Sequence, residues 1–359
     1  MNTFQLYSTW HRALAQTIPD RCPSRLKNLT WLVVGLYLAM NVQLSAIVRK
    51  WPLTAKNPSL TRRLERFLDN PAYRVRDWYE PVARQVLAAC AGMEVTLILD
   101  GSKVGFGHQL LMVALAYRRR ALPLAWTWVG SSRGHSSGLA QMALLGYVRR
   151  LLPPGTRVIL VGDAEFGAIP LIRQVRRWCW RYVLREKSNH QVRRKGCRVW
   201  QPFADLVQKA GQWVWWPTAF LTQKWKYPTG ILAYWAKHED EPWLLATNLP
   251  DARQARRAYK RRMWIEELFG DLKGHGLDLE TTHLRHFLRL SRLTLAVCLV
   301  YVWLMYLGQQ TIQSGQRHLV DRHDRRDLSV FRIGRDIADK RFVLSLLIPV
   351  AFHPLLSGG

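Results

Sequence analysis

Acidic residues are scarce in this sequence. Only 25 of the 359 residues are aspartate or glutamate, against 53 lysines and arginines, which leaves a formal net charge of +28 at pH 7. A surplus of this size calls for a polyanionic partner, because a basic surface that neutralises phosphates releases their counterions. Charge alone leaves DNA, RNA and a membrane surface open as partners.

Cysteines are few, and a secretory signal is missing. The five cysteines are scattered and have no metal-ligand spacing, which excludes a disulfide framework and a zinc finger and predicts free thiols in a reducing cytosol. Met1 to Trp10 has no basic start followed by an apolar run. We therefore expect a cytoplasmic protein. The cysteines are Cys22, Cys90, Cys179, Cys197 and Cys298.

No apolar run is a convincing membrane span. The run from Leu29 to Val48 is broken by Asn41, Gln43 and Ser45. The run from Leu293 to Leu307 is shorter than the roughly 20 residues that a bilayer core requires. Both runs predict buried core helices, and we expect no membrane partner.

The sequence has the composition of a globular protein and begins with a helical region. It is 48% hydrophobic and 22% charged, and its length predicts two or three structural parts. Apolar residues recur at helical spacing from Arg25 to Asp77, so residues 1–88 are expected to form an all-helical domain, and its basic residues make it the expected DNA-binding domain. A basic amphipathic helix starting at an N-cap Ser59 would place Arg62 and Arg63 against DNA. A solvated basic face on a packing helix is equally open.

The pattern then changes to strands and helices in alternation. Val95 to Leu99 is a short apolar strand that ends in Asp100, and the predicted strands 110–117 and 122–129 form a hairpin. After a helix over 137–152, Arg157 to Val161 is a second buried strand that ends at Asp163. A ribonuclease H-like core has this same order of elements, with three antiparallel strands followed by a helix, a strand, a helix and a strand.

The remaining chain predicts an insertion, two long helices and a basic end. Residues 188–243 are rich in tryptophan and short strands and predict a β-rich insertion between core parts 89–187 and 244–309. The second core part is expected to hold a helix over 252–273 and another over 284–308. Residues 310–359 form a basic C-terminal segment, for which dimerisation and DNA contact are equally open.

The two aspartates at the ends of buried strands indicate a cation site. An unpaired buried carboxylate is costly and normally takes up a proton unless a cation lies beside it. Mg²⁺ suits such hard oxygen ligands and leaves positions open for substrate phosphates. Either Asp100 or Asp163 alone would be an ordinary turn residue, but together they favour a metal site.

Helical geometry selects a third carboxylate. At roughly 100° per residue, Arg262, Glu266 and Lys273 fall with Tyr259 within an arc of about 60° on one face. Glu267 falls about 80° away from Tyr259 in the other direction. Glu266 is therefore the better candidate ligand.

IS4-type DDE transposases such as the Tn5-like enzymes have a Tyr-x2-Arg-x3-Glu-x6-Lys signature. This chain matches the signature at Tyr259, Arg262, Glu266 and Lys273, and over about 93–275 it resembles these enzymes. The resemblance implies that Asp100, Asp163 and Glu266 hold two Mg²⁺ ions, with Mn²⁺ as a substitute. It also implies that Tyr259, Arg262 and Lys273 grip phosphates at the DNA end.

The resemblance implies a biological setting as well. The partner would be double-stranded DNA, as transposon inverted-repeat ends and target, handled by a homodimer in a cut-and-paste reaction in the bacterial cytoplasm, near the nucleoid. A tryptophan of the insertion would stack on a flipped base while a DNA hairpin forms. Trp225, Trp235 and Trp243 are the candidates.

Two departures from the family pattern and two alternatives stand beside this interpretation. Many members have a glycine where Glu165 stands, so Glu165 is a possible substitute or auxiliary ligand. The insertion looks short, which bears on the hairpin step. The alternatives are a non-catalytic DNA-binding protein derived from such an enzyme and a ribonuclease H-like nuclease acting on RNA.

Overall fold

The N-terminal region is helical. The computed structural model describes residues 1–19, 22–105, 107–130 and 135–353, so residues 354–359 of the predicted C-terminal segment lie outside the described residues. Five helices precede the first strand. They are α1 (Thr3–Thr17), α2 (Pro23–Ala39), α3 (Leu44–Val48), α4 (Asn57–Asp69) and α5 (Val75–Ala88).

Helix α4 does not begin as its sequence predicts. Ser59 was expected to be the N-cap, but the helix begins at Asn57 after Lys56, and no side chain caps it. Pro58 explains the earlier start, because proline lacks the amide hydrogen that the first helical turn leaves unpaired and its φ already suits a helix. Ser59 therefore lies inside the first turn.

One mixed sheet of ten strands forms the centre of the molecule, in the order β3-β2-β1-β4-β5-β10-β9-β8-β6-β7. Strands β1, β4 and β5 are parallel, and β1, β2 and β3 are antiparallel neighbours. The strands are β1 (Glu94–Val104), β2 (His108–Tyr117), β3 (Arg120–Gly130), β4 (Arg157–Gly162), β5 (Arg181–Arg185), β6 (Gln191–Arg194), β7 (Gln201–Pro202), β8 (Trp213–Leu221), β9 (Tyr227–Tyr234) and β10 (Trp243–Thr247).

The predicted insertion extends this sheet. Strand β10 pairs antiparallel with β5 on one side and with β9 on the other. Strands β6 to β9 therefore continue the sheet outward instead of forming a separate layer. The aromatic side chains of β8 and β9 thus share the two sheet faces with strands β1, β4 and β5.

Strand β1 continues past Asp100. The sequence predicted that the strand ends there, but pairing with β2 runs on to Val104 opposite His108. At the other end of β2, the β2–β3 hairpin closes with a two-residue turn in which Arg118 and Arg119 both have positive φ, 46° and 63°. Such a turn matches the twist of the flanking strands. Asp100 is therefore a residue of the strand interior with its backbone fixed.

Helices cover both faces of the sheet. Helix α6 (Gly138–Leu151) connects β3 to β4 and α7 (Ile169–Arg177) connects β4 to β5. Right-handed crossovers that proceed in one direction along a sheet put both connecting helices on the same face. Helices α8 (Ala252–Lys260) and α9 (Met263–Leu272) lie on the other face.

Helices α8 and α9 correct a prediction. The sequence predicted one helix over 252–273, but the chain breaks at Arg261 and Arg262 and turns into α9. The arginine side chains explain why the junction is fixed, because Arg261 donates to the Thr96 hydroxyl at 2.6 Å and Arg262 reaches Asp100. Tyr259 and Lys273 therefore do not lie on one face of a single continuous helix, although the sequence predicted that they would.

The C-terminal helices pack with the N-terminal ones. Helix α10 (Phe287–Gln313) is long and apolar enough to cross a membrane by length and composition, yet it is almost wholly buried inside the protein. Trp303 on α10 contacts Trp10 and Tyr37 edge-on. Helix α11 (Val330–Val343) packs on α10, and Asp339 accepts a hydrogen bond from the Tyr37 hydroxyl.

Candidate active site

Asp100 and Asp163 lie side by side on neighbouring parallel strands. The register pairs Leu99 with Gly162, so Asp100 and Asp163 occupy the next level of β1 and of the turn after β4. Side chains alternate between the faces of a strand. On β1, Thr96 and Asp100 point to the face covered by α8 and α9, where they meet Arg261 and Arg262.

Asp100 carries a buried carboxyl group in a crowded electrostatic setting. Burial raises the pKa of Asp100 to about 7, while the Arg262 guanidinium lowers this pKa and the carboxylates of Asp163 and Glu266 raise it. The neighbouring Gly101 amide donates to Asp100 Oδ1 at 2.8 Å, which favours the charged form. The site is thus one in which an additional positive charge would be strongly favoured.

Arg262 bridges two of the three predicted carboxylates. Its Nη2 lies 3.1 Å from Asp100 Oδ2 and its Nη1 lies 2.7 Å from Glu266 Oε1. The Arg262 side chain is 15% exposed, and its Nε has no hydrogen-bond partner in the described part of the chain. Arg262 therefore lies between the acid on β1, Asp100, and the acid on α9, Glu266.

The structure separates Glu266 from Glu267. Glu267 forms an ion pair with Arg120, 2.9 Å from its Nη1, and Arg120 Nε also donates to Asp271 at 3.0 Å. That network lies at the start of β3, away from Arg262. Of the two glutamates, only Glu266 lies on the side of Asp100.

The other members of the signature have different surroundings. Tyr259 is buried at 2% exposure, packs edge-on against Trp243 and has a pKa raised by burial to about 12. Lys273 donates to the Lys103 carbonyl at 2.6 Å and pairs with Glu280 at 2.9 Å. Lys273 thus lies beside the extension of β1 beyond Asp100, while Tyr259 is part of the packing on the sheet.

Glu165 belongs to a network on the opposite face. Its carboxylate accepts hydrogen bonds from the Ser136 amide at 2.6 Å, from the Ser136 hydroxyl, and from Gln109 Nε2 at 3.2 Å. Gln109 pairs with Lys103 and lies against Gly101, so it is on the face that Asp100 does not use. Its contacts make Glu165 a link between β2, the start of α6 and the loop after Asp163.

A further buried acid lies at the same edge of the sheet. Glu186 follows β5 directly, and its side chain is fully buried, with burial raising its pKa to about 7. Its Oε2 is 2.7 Å from His190 Nδ1, and it also fills the space beside Gly167. The sequence analysis missed Glu186, although a carboxylate just after a buried strand was the signal that found Asp163.

The tryptophan candidates are not on one face. Trp243 lies between Tyr234 and Tyr259 on the face of α8. Trp225, in the turn between β8 and β9, is covered by Arg173 of α7 and lies with the helices of the other face. Trp235 donates from its ring to the Glu239 carbonyl at 2.9 Å within the turn before β10.

An aromatic groove missed by the sequence analysis opens beside α8. It has a volume of about 730 Å³ and lies between the β8–β9 face and the first turns of α8. Trp213 is 60% exposed, and Arg256 lies over the Tyr234 ring at 5.1 Å. The lining residues used below are Trp213, Trp215, Tyr234, Arg253 and Arg256.

The two N-terminal arginines differ in exposure. Arg62 is exposed on α4, whereas Arg63 is half-buried, donates to the Asn28 side chain at 2.7 Å and lies over the Trp51 ring. Arg63 is thus part of the packing between α2 and α4. Only Arg62 of the pair is available to an external phosphate in this conformation.

The carboxylates fit a divalent cation by their chemistry. Asp100, Asp163 and Glu266 supply hard oxygen donors, and burial raises the pKa of Asp100, which favours a positive charge beside it. Within the described residues, no group of three or more His, Cys, Asp or Glu side chains is arranged so that it could hold a metal ion. Arg262 lies between Asp100 and Glu266. A bound cation would therefore replace the Arg262 guanidinium as the positive charge between these two carboxylates.

Comparison with known proteins identifies the family. The family described as "Transposase DDE domain" matches residues 96–303, which contain all three carboxylates and the ten-stranded sheet except the first residues of β1. A cryo-EM structure of a piggyBac transposase synaptic complex with hairpin DNA is similar with a TM-score of 0.42 and 10% sequence identity, covering 99% of this chain and 84% of that chain. No curated protein matches. The chain belongs to the transposase DDE domain family.

Proposed function

We propose that this chain is the transposase of an insertion sequence, of the IS4 type, which cuts the ends of its element and joins them to target DNA in a cut-and-paste reaction. The observation that carries the proposal is the bridge from Arg262 to Asp100 and Glu266, with Asp163 beside Asp100. Asp100 is buried, Asp163 follows the neighbouring strand, and Glu266 shares Arg262 with Asp100, so acids from three distant segments lie near one another. A buried carboxylate such as that of Asp100 is costly unless a positive charge neutralises it.

Asp100, Asp163 and Glu266 would hold two Mg²⁺ ions, with Mn²⁺ as a substitute, since the family typically uses divalent metals. When bound, such ions supply stabilisation of the attacking and leaving oxygens in a phosphoryl transfer. The chain's own part is to fix the carboxylates. Asp100 is held by its pairing with Met112 of β2, one residue beyond the last β1–β4 pair, and Glu266 is held by the first turn of α9.

The basic residues of the site would position phosphate. Arg262 has two donor nitrogens in a planar fork and would exchange the carboxylates for a phosphate once a cation neutralises Asp100 and Glu266. Lys273 would act as a point charge beside the end of β1. Tyr259, being buried, would support Trp243 and the sheet more than it contacts DNA directly.

The strand order supports a ribonuclease H-like core, which belongs to this proposal. Along the chain, β1, β2, β3, α6, β4, α7 and β5 follow one another in the element order that the sequence predicts for such a core. In the sheet these five strands lie in the order β3-β2-β1-β4-β5. We further propose that residues 1–88 recognise the terminal repeat, with Arg62 as a phosphate contact, and that a homodimer acts on DNA beside the bacterial nucleoid.

The aromatic groove supports handling of an unpaired base. Trp213 and Trp215 offer stacking surfaces and Arg253 and Arg256 offer charge for a backbone, on the same sheet face as Asp100. Stacking on an aromatic ring offsets the cost of extruding a base. Of the predicted tryptophans, Trp243 lies between this groove and Tyr259, whereas Trp225 lies on the opposite face.

The test is Mg²⁺-dependent cleavage of a labelled duplex that carries the inverted repeat found beside the coding sequence. Asp100→Asn, Asp163→Asn and Glu266→Gln should each reduce cleavage by at least about a hundredfold, since several kcal/mol of transition-state stabilisation are lost. Glu267→Gln is the matched control, because Glu267 is adjacent in sequence but pairs with Arg120. Full activity in any of the three variants would contradict the proposed site.

The same experiment separates the alternatives. A non-catalytic DNA-binding protein would shift the labelled duplex without producing cleavage products in Mg²⁺ or Mn²⁺. A ribonuclease H-like nuclease would cleave an RNA·DNA hybrid in preference to the duplex. Cleavage confined to the ends of the repeat would support the transposase.

A further inference from the structure

Helices α6 and α7 carry exposed arginines and no acidic residue of their own. Both helices end in a pair of arginines. The side chains concerned are all exposed. They are Arg149, Arg150, Arg173, Arg176 and Arg177.

None of these five arginines has an ion-pair partner within the described residues. Exposed arginines elsewhere on the chain occur both with such a partner, as Arg84 with Glu80, and without one among the described residues, as Arg253 and Arg257 of α8. The guanidinium groups of α6 and α7 are therefore available to an external anion.

Aromatic rings hold several of these guanidinium groups in place. Arg149 lies over the Trp178 ring at 5.6 Å, and Arg173 lies over the Trp225 ring at 4.7 Å. Lys224 approaches the same Trp225 ring from the β8–β9 turn at 5.4 Å. Stacking of this kind restricts the side chain, so less entropy is lost when the guanidinium meets a phosphate.

The aromatic contacts also make the surface continuous. Trp178 at the end of α7 touches Gly146 of α6, and Trp225 joins α7 to the tip of the β8–β9 hairpin. We call this surface, formed by the five arginines, Lys224, Trp178 and Trp225, the back face. It lies across the sheet from Asp100, Arg262 and Glu266, so DNA held at the carboxylates cannot use it.

We propose that the back face binds the sugar-phosphate backbone of a second segment of double-stranded DNA, separate from the segment at the carboxylates. A row of exposed cations, with acids only at its Arg150 end where Asp77 and Glu80 of α5 line the same cavity, suits a polyanion of regular charge spacing. Arginine and stacked aromatic rings suit backbone contact without base reading. The inference rests on the proposed DNA substrate but not on the cleavage reaction.

The test measures binding of the full-length protein to a fluorescein-labelled duplex of random sequence by anisotropy over a range of KCl concentrations, in EDTA so that no cleavage occurs. The variant replaces Arg149, Arg150, Arg173 and Arg177 by alanine. It spares Arg176, which donates to the Tyr227 hydroxyl at 3.4 Å. If the four arginines each contact a phosphate, the slope of log K against log salt should fall by about 3 to 4.

Two further variants make the result decisive. The control replaces Arg84, Arg181, Arg325 and Arg332, four exposed arginines that have acidic partners, and removes the same net charge. Its slope should stay close to that of the unaltered protein. Lysine at the four back-face positions should restore most of the slope, because lysine keeps the charge.

Equal losses in the alanine variant and in the control would overturn the proposal, since only net charge would then matter. An unchanged slope in the alanine variant would also overturn it. Absence of any duplex binding by the unaltered protein would instead overturn the proposed function, and this surface with it. A loss confined to the back-face alanine variant supports the proposal.

Discussion

The Arg262 guanidinium lies 3.1 Å from the buried carboxylate of Asp100, although the two residues are 162 positions apart in the chain. The contact forms because α8 ends just before Arg262 and turns the chain over the face of β1. A positive charge in this place holds together acids that would otherwise repel each other. The contact therefore neutralises part of the negative charge of Asp100 and Glu266.

Removal of this guanidinium should destabilise the metal-free protein. Arg262→Ala leaves Asp100 and Glu266 without their shared cation, and breaking a buried pair by removing one partner costs about 3 kcal/mol. Mg²⁺ should then raise the melting temperature of the variant more than that of the unaltered protein, because the ion replaces the missing charge. Thermal unfolding with and without Mg²⁺ measures both effects.

Arg261→Ala is the matched control for that prediction. It removes an arginine from the adjacent position, but Arg261 donates to the Thr96 hydroxyl and not to a carboxylate. Its response to Mg²⁺ should equal that of the unaltered protein. A response in Arg262→Ala no larger than this would show that the guanidinium and the ion do not share a place.

Glu165 should behave as a positioning residue and not as a metal ligand. Its side chain is 9% exposed and its acceptors are used by Ser136 and Gln109 on the face away from Asp100. Glu165→Gln weakens these charge-assisted bonds, and we expect a loss of about 1 to 3 kcal/mol in the free energy of unfolding. The Mg²⁺ concentration that gives half-maximal cleavage should stay unchanged while the maximal rate falls.

A double-mutant cycle provides the check on Glu165. Ser136→Ala alone and Glu165→Gln alone should each destabilise, and the double variant should lose less than the sum, with a coupling of about 1 kcal/mol in urea unfolding. Additive losses would mean that the two side chains act separately. A rise in the Mg²⁺ requirement of Glu165→Gln would restore the auxiliary-ligand hypothesis.

Local patterns predicted the parts of the fold that depend on local forces. The hairpin of β2 and β3, the apolar strand β4 and helix α6 with its Ser137 cap follow from periodicity and turn chemistry. The break between α8 and α9 did not, because it depends on Arg261 and Arg262 reaching residues of β1 far away in sequence. Such contacts override helix propensity and leave no periodic signal.

The site shows the same division. The two aspartates could be predicted because each adjoins a buried apolar strand. Helical geometry favoured Glu266 over Glu267, and in the structure Glu267 points elsewhere and pairs with Arg120. The roles of these residues remain predictions. The aromatic groove escaped notice because Trp213 and Arg256 meet only through the pairing of β8 with β9 and the placement of α8.

The groove should favour DNA with an unpaired base. Trp213→Ala should reduce the ratio of affinities for a duplex with one extrahelical base over a fully paired duplex by about tenfold, because a stacked base contributes about 1 to 3 kcal/mol. Trp225→Ala should leave this ratio unchanged, since Trp225 lies on the back face under Arg173. Anisotropy titrations in EDTA give both ratios, and equal effects in the two variants would remove the groove from consideration.

Glu186 should make the stability of the protein depend on pH near neutrality. Burial raises the pKa of Glu186 to about 7 from an ordinary value of 4.5, so the protonated form is favoured in the folded state. The stability that this group contributes is full below about pH 4 and disappears as the pH rises through about 7. Glu186→Gln lacks this dependence because an amide does not titrate.

The difference in unfolding free energy between Glu186→Gln and the unaltered protein should therefore grow in favour of the variant from about pH 5 to about pH 8, by roughly 2 to 3 kcal/mol. Urea unfolding across this range measures it. His190 Nδ1 contacts the Glu186 carboxyl at 2.7 Å. The comparison is therefore repeated in a His190→Gln background, where the trend should persist because burial is the larger cause. A difference that stays constant with pH in both backgrounds would show that the Glu186 carboxyl keeps its ordinary pKa in the fold.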